Sequence, residues 1–286
     1  MKITDVTRID DISSKDFREN FLKPELPIIT QNFAKNWPAI EKWSLDYLAE
    51  KCGHIDVPLY KETFAESGDY MKAQKSTSFR DYLKLLSTTN EQYRMFLFNI
   101  AKKMPGLRKD FTFSDFSKHY IKSKPFLFFG NKGCHVDAHY DADMSHVFIT
   151  QFLGQKTITL FKPEYSKMLY RHPLTVSTNV DIGNPNFSKY PLLKNITGYR
   201  CILNHGDTLF MPSGWWHYVH YDELSFSLSL RAMSPQWRRR LQGAINIAKL
   251  LVADRALTKL IGSKRWYDSK ERWAHWRTRG LSLAEY

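Results

Sequence analysis

Short strand-like segments separated by glycines dominate residues 125–235 and constrain the fold more than any other feature of the chain. The predicted strands are residues 126–129, 147–153, 156–161, 208–211 and 225–231. Glycines interrupt them at positions 130, 133, 154, 206 and 214. Many short strands with frequent turns are typical of an antiparallel barrel or jelly roll. We therefore predict a mainly β core with flanking helices.

The last predicted strand, residues 225–231, shows a strict alternation. Serine occupies positions 225, 227 and 229, and Phe226, Leu228 and Leu230 occupy the alternate positions. Successive side chains of a strand point to opposite faces, so the serines share one face and the apolar residues share the other. The pattern predicts a half-buried strand that lines an interior space.

The flanking regions have a different texture and set the expected domain boundaries. Residues before about 124 mix helical and strand-like segments, with Ser13 or Ser14 and Ser44 as predicted N-terminal helix caps. After Pro235 the spacing of apolar residues is helical. We expect a domain over residues 1–235 with an N-terminal α/β flank and a core barrel at about 124–235. A basic, Trp-rich helical C-terminal extension would follow over residues 236–286.

Composition excludes several classes of protein. Hydrophobic residues make up 43% of the 286 residues, enough for a packed core, and no low-complexity tract indicates disorder. The apolar stretch at 244–253 is far shorter than the roughly 20 residues of a membrane span. The three cysteines are widely spaced and odd in number, which argues against a disulfide framework. The first ten residues lack the apolar run of a signal peptide, so we expect a cytoplasmic protein without a membrane partner.

The C-terminal extension carries most of the excess positive charge. The net charge is +13, and residues 236–286 contribute twelve basic against four acidic side chains. Leu241, Ile245, Ala248 and Val252 form an apolar stripe at helical spacing. A helical dimer interface is the main expectation for this segment. RNA binding through aromatic stacking and phosphate contacts is the alternative.

Histidines and carboxylates cluster in residues 134–146. His139 and Asp141 are two residues apart and would face one point if they lie in a strand. His217 follows a strand and a Pro-Ser-Gly turn and is well placed as a third ligand. Two imidazoles and one carboxylate make a facial triad, which leaves positions on Fe(II) open for a chelating cosubstrate and dioxygen. The pair His135 and Asp137 fits the same two-residue spacing and is the reserve assignment.

Motifs spread over residues 5–235 resemble the JmjC-type, cupin-like Fe(II)/2-oxoglutarate oxygenases, the group that contains the hypoxia-factor asparaginyl hydroxylase. The resembling segments are PIIT at 27–30, NWP at 36–38, KWSLDYL at 42–48, FFG at 128–130, HYD at 139–141, QFLGQK at 151–156, LYRHP at 169–173 and GDTLFMPSGWWH at 206–217. The resemblance implies a double-stranded β-helix. It also implies an oxygenase that uses Fe(II), 2-oxoglutarate and dioxygen.

The same resemblance implies roles for individual residues. His139, Asp141 and His217 match the family's iron ligands, and Lys156 matches the lysine that pairs with the distal carboxylate of 2-oxoglutarate. Ser229 matches a position that lines the cosubstrate site. Ser145 is a further candidate contact to the cosubstrate, in a segment two residues longer than in the hypoxia-factor enzyme.

The expected reaction is hydroxylation of a protein side chain or another unidentified substrate, with release of succinate and carbon dioxide. An aspartate rather than a glutamate ligand favours hydroxylation over histone demethylation. RNA and small molecules stay open as substrates, because the predicted lid loops at 62–76 and 176–199 contain no motif that identifies one. Two other functions also stay open: a metal-binding cupin without 2-oxoglutarate chemistry, and a non-catalytic protein- or RNA-binding member of the fold.

Overall fold

The strands form two large sheets and a separate two-stranded pair. The computed structural model describes residues 1–60, 73, 75–88, 93–279 and 281 of the chain. The strands are β1 (Lys2–Asp5), β2 (Ile28–Thr30), β3 (Asp56–Leu59), β4 (Lys75–Ser78), β5 (Arg94–Asn99), β6 (Phe126–Gly130), β7 (His135–His139), β8 (His146–Leu153), β9 (Lys156–Phe161), β10 (Thr197–Leu203), β11 (Thr208–Met211), β12 (Trp216–Tyr221) and β13 (Ser225–Ala232).

The order of strands within the sheets is that of a double-stranded β-helix. One sheet has the order β1-β10-β9-β12-β7, and the other has the order β2-β11-β8-β13-β6-β5. The eight strands β6 to β13 supply four neighbouring strands to each sheet, all paired antiparallel. The predicted jelly-roll core is confirmed, and its strands run from Phe126 to Ala232.

Helices precede and follow the barrel strands in the chain. They are α1 (Ser14–Phe17), α2 (Pro38–Lys42), α3 (Leu45–Cys52), α4 (Phe79–Thr88), α5 (Ile100–Lys103), α6 (Trp237–Ala248), α7 (Arg255–Ile261) and α8 (Ser263–Thr278), with π-helical segments at Arg18–Leu22 and Lys249–Asp254. Two of the predicted caps are confirmed. The Ser13 hydroxyl accepts a hydrogen bond from the Asp16 backbone N–H, and the Ser44 hydroxyl accepts one from the Tyr47 N–H.

Strand β13 is buried on both faces, so the prediction of a half-buried strand is wrong in this respect. Its apolar residues belong to the largest hydrophobic cluster, where Phe226 stacks on Phe129 with ring centroids 4.7 Å apart. The N-terminal helices contribute Phe17 and other side chains to that cluster. The flank therefore covers the face that would otherwise meet water, and the serine face lines the barrel interior.

Three strands of the barrel were not predicted as strands. Strands β7 and β12 carry the histidine motifs, and β10 begins inside the segment 176–199 that was predicted as a loop. In β10 the buried and exposed positions do not alternate regularly, because Tyr199 and Arg200 are both outside the core, so the strand lacks a clear period of two. Of the other predicted loop, residues 62–72 and 74 lie outside the described residues, and Lys75 and Ser76 belong to β4.

The C-terminal extension packs directly against the barrel domain. A Cβ atom on Gly243 of α6 would lie 2.5 Å from the carbonyl oxygen of Asp143, so only glycine permits this approach to the turn after β7. Helix α8 contacts the segment between β9 and β10, where Glu271 pairs with Lys189 at 2.6 Å. Among the described residues, no helix has the length and apolar character that crossing a membrane requires.

Candidate metal and cosubstrate site

Two neighbouring strands and one turn bring three ligand side chains to a single point. His139 ends β7, His217 is the second residue of β12, and the two are direct partners in the strand pairing. Their ring centroids are 4.2 Å apart. Asp141 lies beyond the end of β7, not in the strand as expected, and its carboxylate still reaches the histidines. One potential ligand atom from each of the three residues lies within 4.8 Å of the others.

Backbone carbonyls orient both imidazoles. Nδ1 of His139 lies 2.7 Å from the carbonyl oxygen of Asp137, and Nδ1 of His217 lies 3.2 Å from that of Trp215. A carbonyl oxygen can only accept, so each Nδ1 carries the proton and donates it. Each Nε2 then keeps a free lone pair, as a metal ligand requires.

The electrostatic environment favours the ligating forms of these side chains. Burial lowers the pKa of His217 to about 3, which keeps this imidazole neutral. Burial alone would raise the pKa of Asp141. The attraction and the hydrogen bond of the Arg231 guanidinium outweigh burial and hold the pKa of this carboxyl below its ordinary value. A neutral imidazole and an ionised carboxylate are the forms that bind a divalent cation.

The donor set fits Fe(II). Two imidazole nitrogens and one carboxylate oxygen, with space on the remaining side, match the facial arrangement of non-haem iron oxygenases. The reserve pair does not match. His135 and Asp137 contact each other at 3.3 Å on a partly exposed surface, and no third metal ligand joins them among residues that the structure describes.

Lys156 is a buried cation in the same cavity. Its side chain lies in β9 with 2% of the residue exposed, and Nζ donates to the Ser227 hydroxyl at 2.8 Å. Nζ also lies 4.4 Å from the centre of the Tyr221 ring. No carboxylate of the described residues forms an ion pair with this lysine, and burial lowers its pKa to about 7. A buried ammonium without an acidic partner suits an anionic ligand.

A cavity of about 260 Å³ connects Lys156 to the three ligands. Strand β13 crosses it, with Ser227 beside Lys156, then Ser229, then Arg231 beside Asp141. These alternate residues are spaced by roughly 6.6 Å along the strand. The Ser229 hydroxyl is buried without a hydrogen-bond partner. The cavity thus has a polar row that runs from the buried lysine to the triad.

Ser145 does not line this cavity. Its hydroxyl donates to the Asp143 carboxylate at 2.8 Å and accepts from Arg231 at 3.0 Å. Arg231 had no predicted role, although it continues the alternation of serines and therefore belongs to the same face of β13. Leu250 of the C-terminal extension also lines the cavity, and no local sequence signal indicates this contact.

A double-stranded β-helix with a His-Asp-His triad and a buried lysine defines a metal-dependent cupin-type protein. The model of the cupin-like domain family matches residues 14–247, and the chain belongs to this family. The JmjC resemblance is also confirmed by its relatives. Members of the JmjC family use Fe(II) and 2-oxoglutarate with dioxygen, as predicted.

Several curated proteins are similar to the chain. Lysine-specific demethylase 8 of Danio rerio is 31% identical over 237 residues, which cover 79% of this chain and 57% of the relative. Jumonji C domain-containing protein 5 of Drosophila melanogaster is 27% identical and is covered over 59% of its length. tRNA wybutosine-synthesizing protein 5 of Homo sapiens is 26% identical, with 79% of this chain and 76% of the relative covered. The chain spans little more than half the length of the first two.

Proposed function

We propose that this protein is an Fe(II)- and 2-oxoglutarate-dependent oxygenase with His139, Asp141 and His217 as its iron ligands. The observation that carries the proposal is the shared cavity of the triad and Lys156, a buried cation that forms no ion pair with a described carboxylate. When bound, iron and 2-oxoglutarate supply an oxidation by dioxygen that releases succinate and carbon dioxide.

Residues of the chain bind and orient the cosubstrate in this proposal. Lys156 donates to the distal carboxylate, and Ser229 supplies the hydroxyl that otherwise has no partner. Apolar side chains such as Ile149, Ile158 and Val219 line the walls and exclude water from the reaction. Val136 also lines the cavity and offers no hydroxyl, so Ser227 and Ser229 supply the hydroxyls on the side of Lys156.

We propose hydroxylation of a protein side chain or another unidentified substrate as the outcome. The aspartate ligand supports hydroxylation, whereas the relatives carry names of both demethylases and a tRNA-modifying protein. The three cysteines are buried and form no disulfide with one another, which supports a reducing, cytoplasmic location.

The test measures succinate formed from 2-oxoglutarate with Fe(II) in air, first without any other substrate. Wild type, Asp141→Ala and His217→Ala are compared with His135→Ala, a control from the reserve pair. We expect slow turnover in wild type and His135→Ala and none in the other two variants. The anaerobic absorbance band of the Fe(II)–2-oxoglutarate complex is recorded on the same samples. Absence of both turnover and the band in wild type would refute the proposal.

A metal-binding cupin without 2-oxoglutarate chemistry would give a different result. Such a protein would bind Fe(II) through the same triad, but the absorbance band of the 2-oxoglutarate complex would be absent. In that case Lys156→Met would leave Fe(II) binding unchanged.

Non-catalytic RNA binding is the second candidate function, and the surface of α8 favours it. Trp273 and Trp276 are 44% and 64% exposed, and Arg272 on the same helix and Arg279 directly after its end are also exposed. Aromatic rings beside cations suit bases and phosphates. Salt-dependent RNA binding that persists in Asp141→Ala would support this candidate.

We further propose that α6 forms a homodimer interface. Trp237, Leu241 and Ile245 are exposed on the face of α6 opposite Gly243, which packs on the barrel, and Val252 is exposed in the π-helical segment that follows. The stripe is about 22 Å long at the rise of an α-helix. Soluble monomers rarely expose a continuous apolar surface of this size, and a second copy would cover it.

A further inference from the structure

Arg231 connects the two sheets of the barrel at the metal triad. It lies in β13, and its side chain is 9% exposed. One terminal nitrogen donates to Oδ1 of Asp141 at 2.9 Å. The other donates to the Asp143 carboxylate at 3.2 Å and to the Ser145 hydroxyl at 3.0 Å. A single guanidinium thus contacts three side chains of the turn that follows β7.

The turn needs such a support because Asp141 lies outside the strand that positions His139. Other contacts hold the backbone of this turn: the Tyr140 N–H donates to the Val176 carbonyl, and the Ala142 and Met144 carbonyls accept from the side chains of Asn246 and Ser213. None of these contacts reaches the Asp141 carboxylate. Within the described part of the chain, Arg231 is the one side-chain donor to the Asp141 carboxylate. The planar fork of an arginine holds two acceptors in fixed directions, which a lysine ammonium cannot do.

We propose that Arg231 is a positioning residue that holds Asp141 as a one-oxygen metal ligand. Its bond to Oδ1 leaves Oδ2 for the metal, and its bonds to Asp143 and Ser145 fix the turn against β13. The inference rests on the proposed function, because it takes Asp141 as a ligand. It goes beyond that proposal by assigning control of the metal geometry to a residue outside the ligand set.

Arg231 can affect metal affinity in two opposite ways, so a binding experiment can separate them. If Arg231 mainly orients the carboxylate, its removal weakens metal binding, and partners of this kind contribute about 10- to 100-fold in metal affinity. If the guanidinium mainly acts as a nearby positive charge, its removal strengthens metal binding, because like charges repel. The geometry of three simultaneous hydrogen bonds points to the first effect.

The experiment titrates the full-length protein with Co(II) and follows the visible absorption, which gives both affinity and coordination geometry. Arg231→Gln removes the charge and the fork, and Arg231→Lys keeps the charge alone. Arg8→Gln is the matched control, because Arg8 forms a fork with the buried Asp207 outside the cavity. His217→Ala marks the loss of the site, and circular dichroism verifies folding of each variant.

We expect about 10- to 100-fold weaker Co(II) binding and an altered spectrum for Arg231→Gln, with a smaller loss for Arg231→Lys and none for Arg8→Gln. Unchanged or tighter binding in Arg231→Gln would overturn the inference. If that variant does not fold, an unchanged affinity and spectrum in Arg231→Lys would overturn it equally. Failure of wild type to bind Co(II) would instead refute the triad, and the inference with it.

Discussion

Replacement of Lys156 by methionine should stabilise the ligand-free protein at neutral pH. Burial lowers the pKa of Lys156 from 10.5 to about 7. One pKa unit corresponds to about 1.4 kcal/mol, so this lysine lowers the free energy of unfolding by roughly 4 kcal/mol at pH 7. Methionine has a similar length and no charge, and it removes this penalty.

The stability gained by the Lys156→Met substitution decreases as the pH rises. Between about pH 7 and 10.5 the unfolded chain binds a proton that the folded chain does not, so the free energy of unfolding of wild type rises with pH. The substitution also removes the bond to Ser227 and the contact with Tyr221, together worth about 2 kcal/mol. We therefore expect Lys156→Met to be about 2 kcal/mol more stable than wild type at pH 7. At pH 10 it should be about 1 kcal/mol less stable.

Urea unfolding followed by circular dichroism at pH 7, 8.5 and 10 measures this difference. Lys270→Met is the matched control, because Lys270 is equally buried but pairs with Asp254 at 3.2 Å. Removing one partner of a buried ion pair costs about 3–5 kcal/mol, so this variant should be less stable than wild type. A loss of stability in Lys156→Met at pH 7 similar to that in Lys270→Met would refute the reasoning, as would a difference that does not vary with pH.

Three further predictions concern the cosubstrate, the turn and the surface. Ser229→Ala should weaken 2-oxoglutarate binding about 5- to 10-fold in an anaerobic absorbance titration, since one hydrogen bond contributes about 1 kcal/mol; an unchanged dissociation constant would exclude contact with this hydroxyl. Gly243→Ala should lower the free energy of unfolding by about 1–3 kcal/mol, because the new methyl group meets the Asp143 carbonyl at 2.5 Å. Thermal denaturation measures this loss of stability, and Ala244→Gly on the exposed side of α6 is the control variant. Leu241→Glu should convert a dimer to a monomer in light scattering without a loss of helicity, and a wild-type protein that is already monomeric would contradict the interface.

Local patterns predicted much of the barrel from sequence. The bounds of β9 and β11 agree with the predicted strands at 156–161 and 208–211, because β-branched and aromatic residues there end at glycine or proline turns. Helix α3 begins after its predicted cap Ser44 for a similarly local reason, a hydroxyl that satisfies a backbone N–H three residues later. These features depend on neighbours in sequence.

Contacts between distant segments could not be predicted in the same way. The structure places His139, Asp141 and His217 together, and the two-residue motif with its family context anticipated this arrangement. Nothing local indicates that the Ser145 hydroxyl would bind Arg231 across the barrel, about ninety residues away in the chain, and leave the cosubstrate cavity. The contribution of Leu250 to the cavity wall depends on how α6 packs, which is equally non-local.

The residues of β13 cannot be shifted along β6 and β8 by one position, because one face of the strand packs in the hydrophobic cluster and the other lines the cavity. Moving the chain by one residue would place Phe226 and Leu228 where Ser227 and Ser229 now line the cavity, and it would bury the Arg231 charge in the aromatic cluster. In a strand with one face in water, the same slip would disrupt buried contacts on one face only. Here a single inserted or deleted residue would cost the protein its core and its proposed metal site together, so the length of this strand is as constrained as its composition.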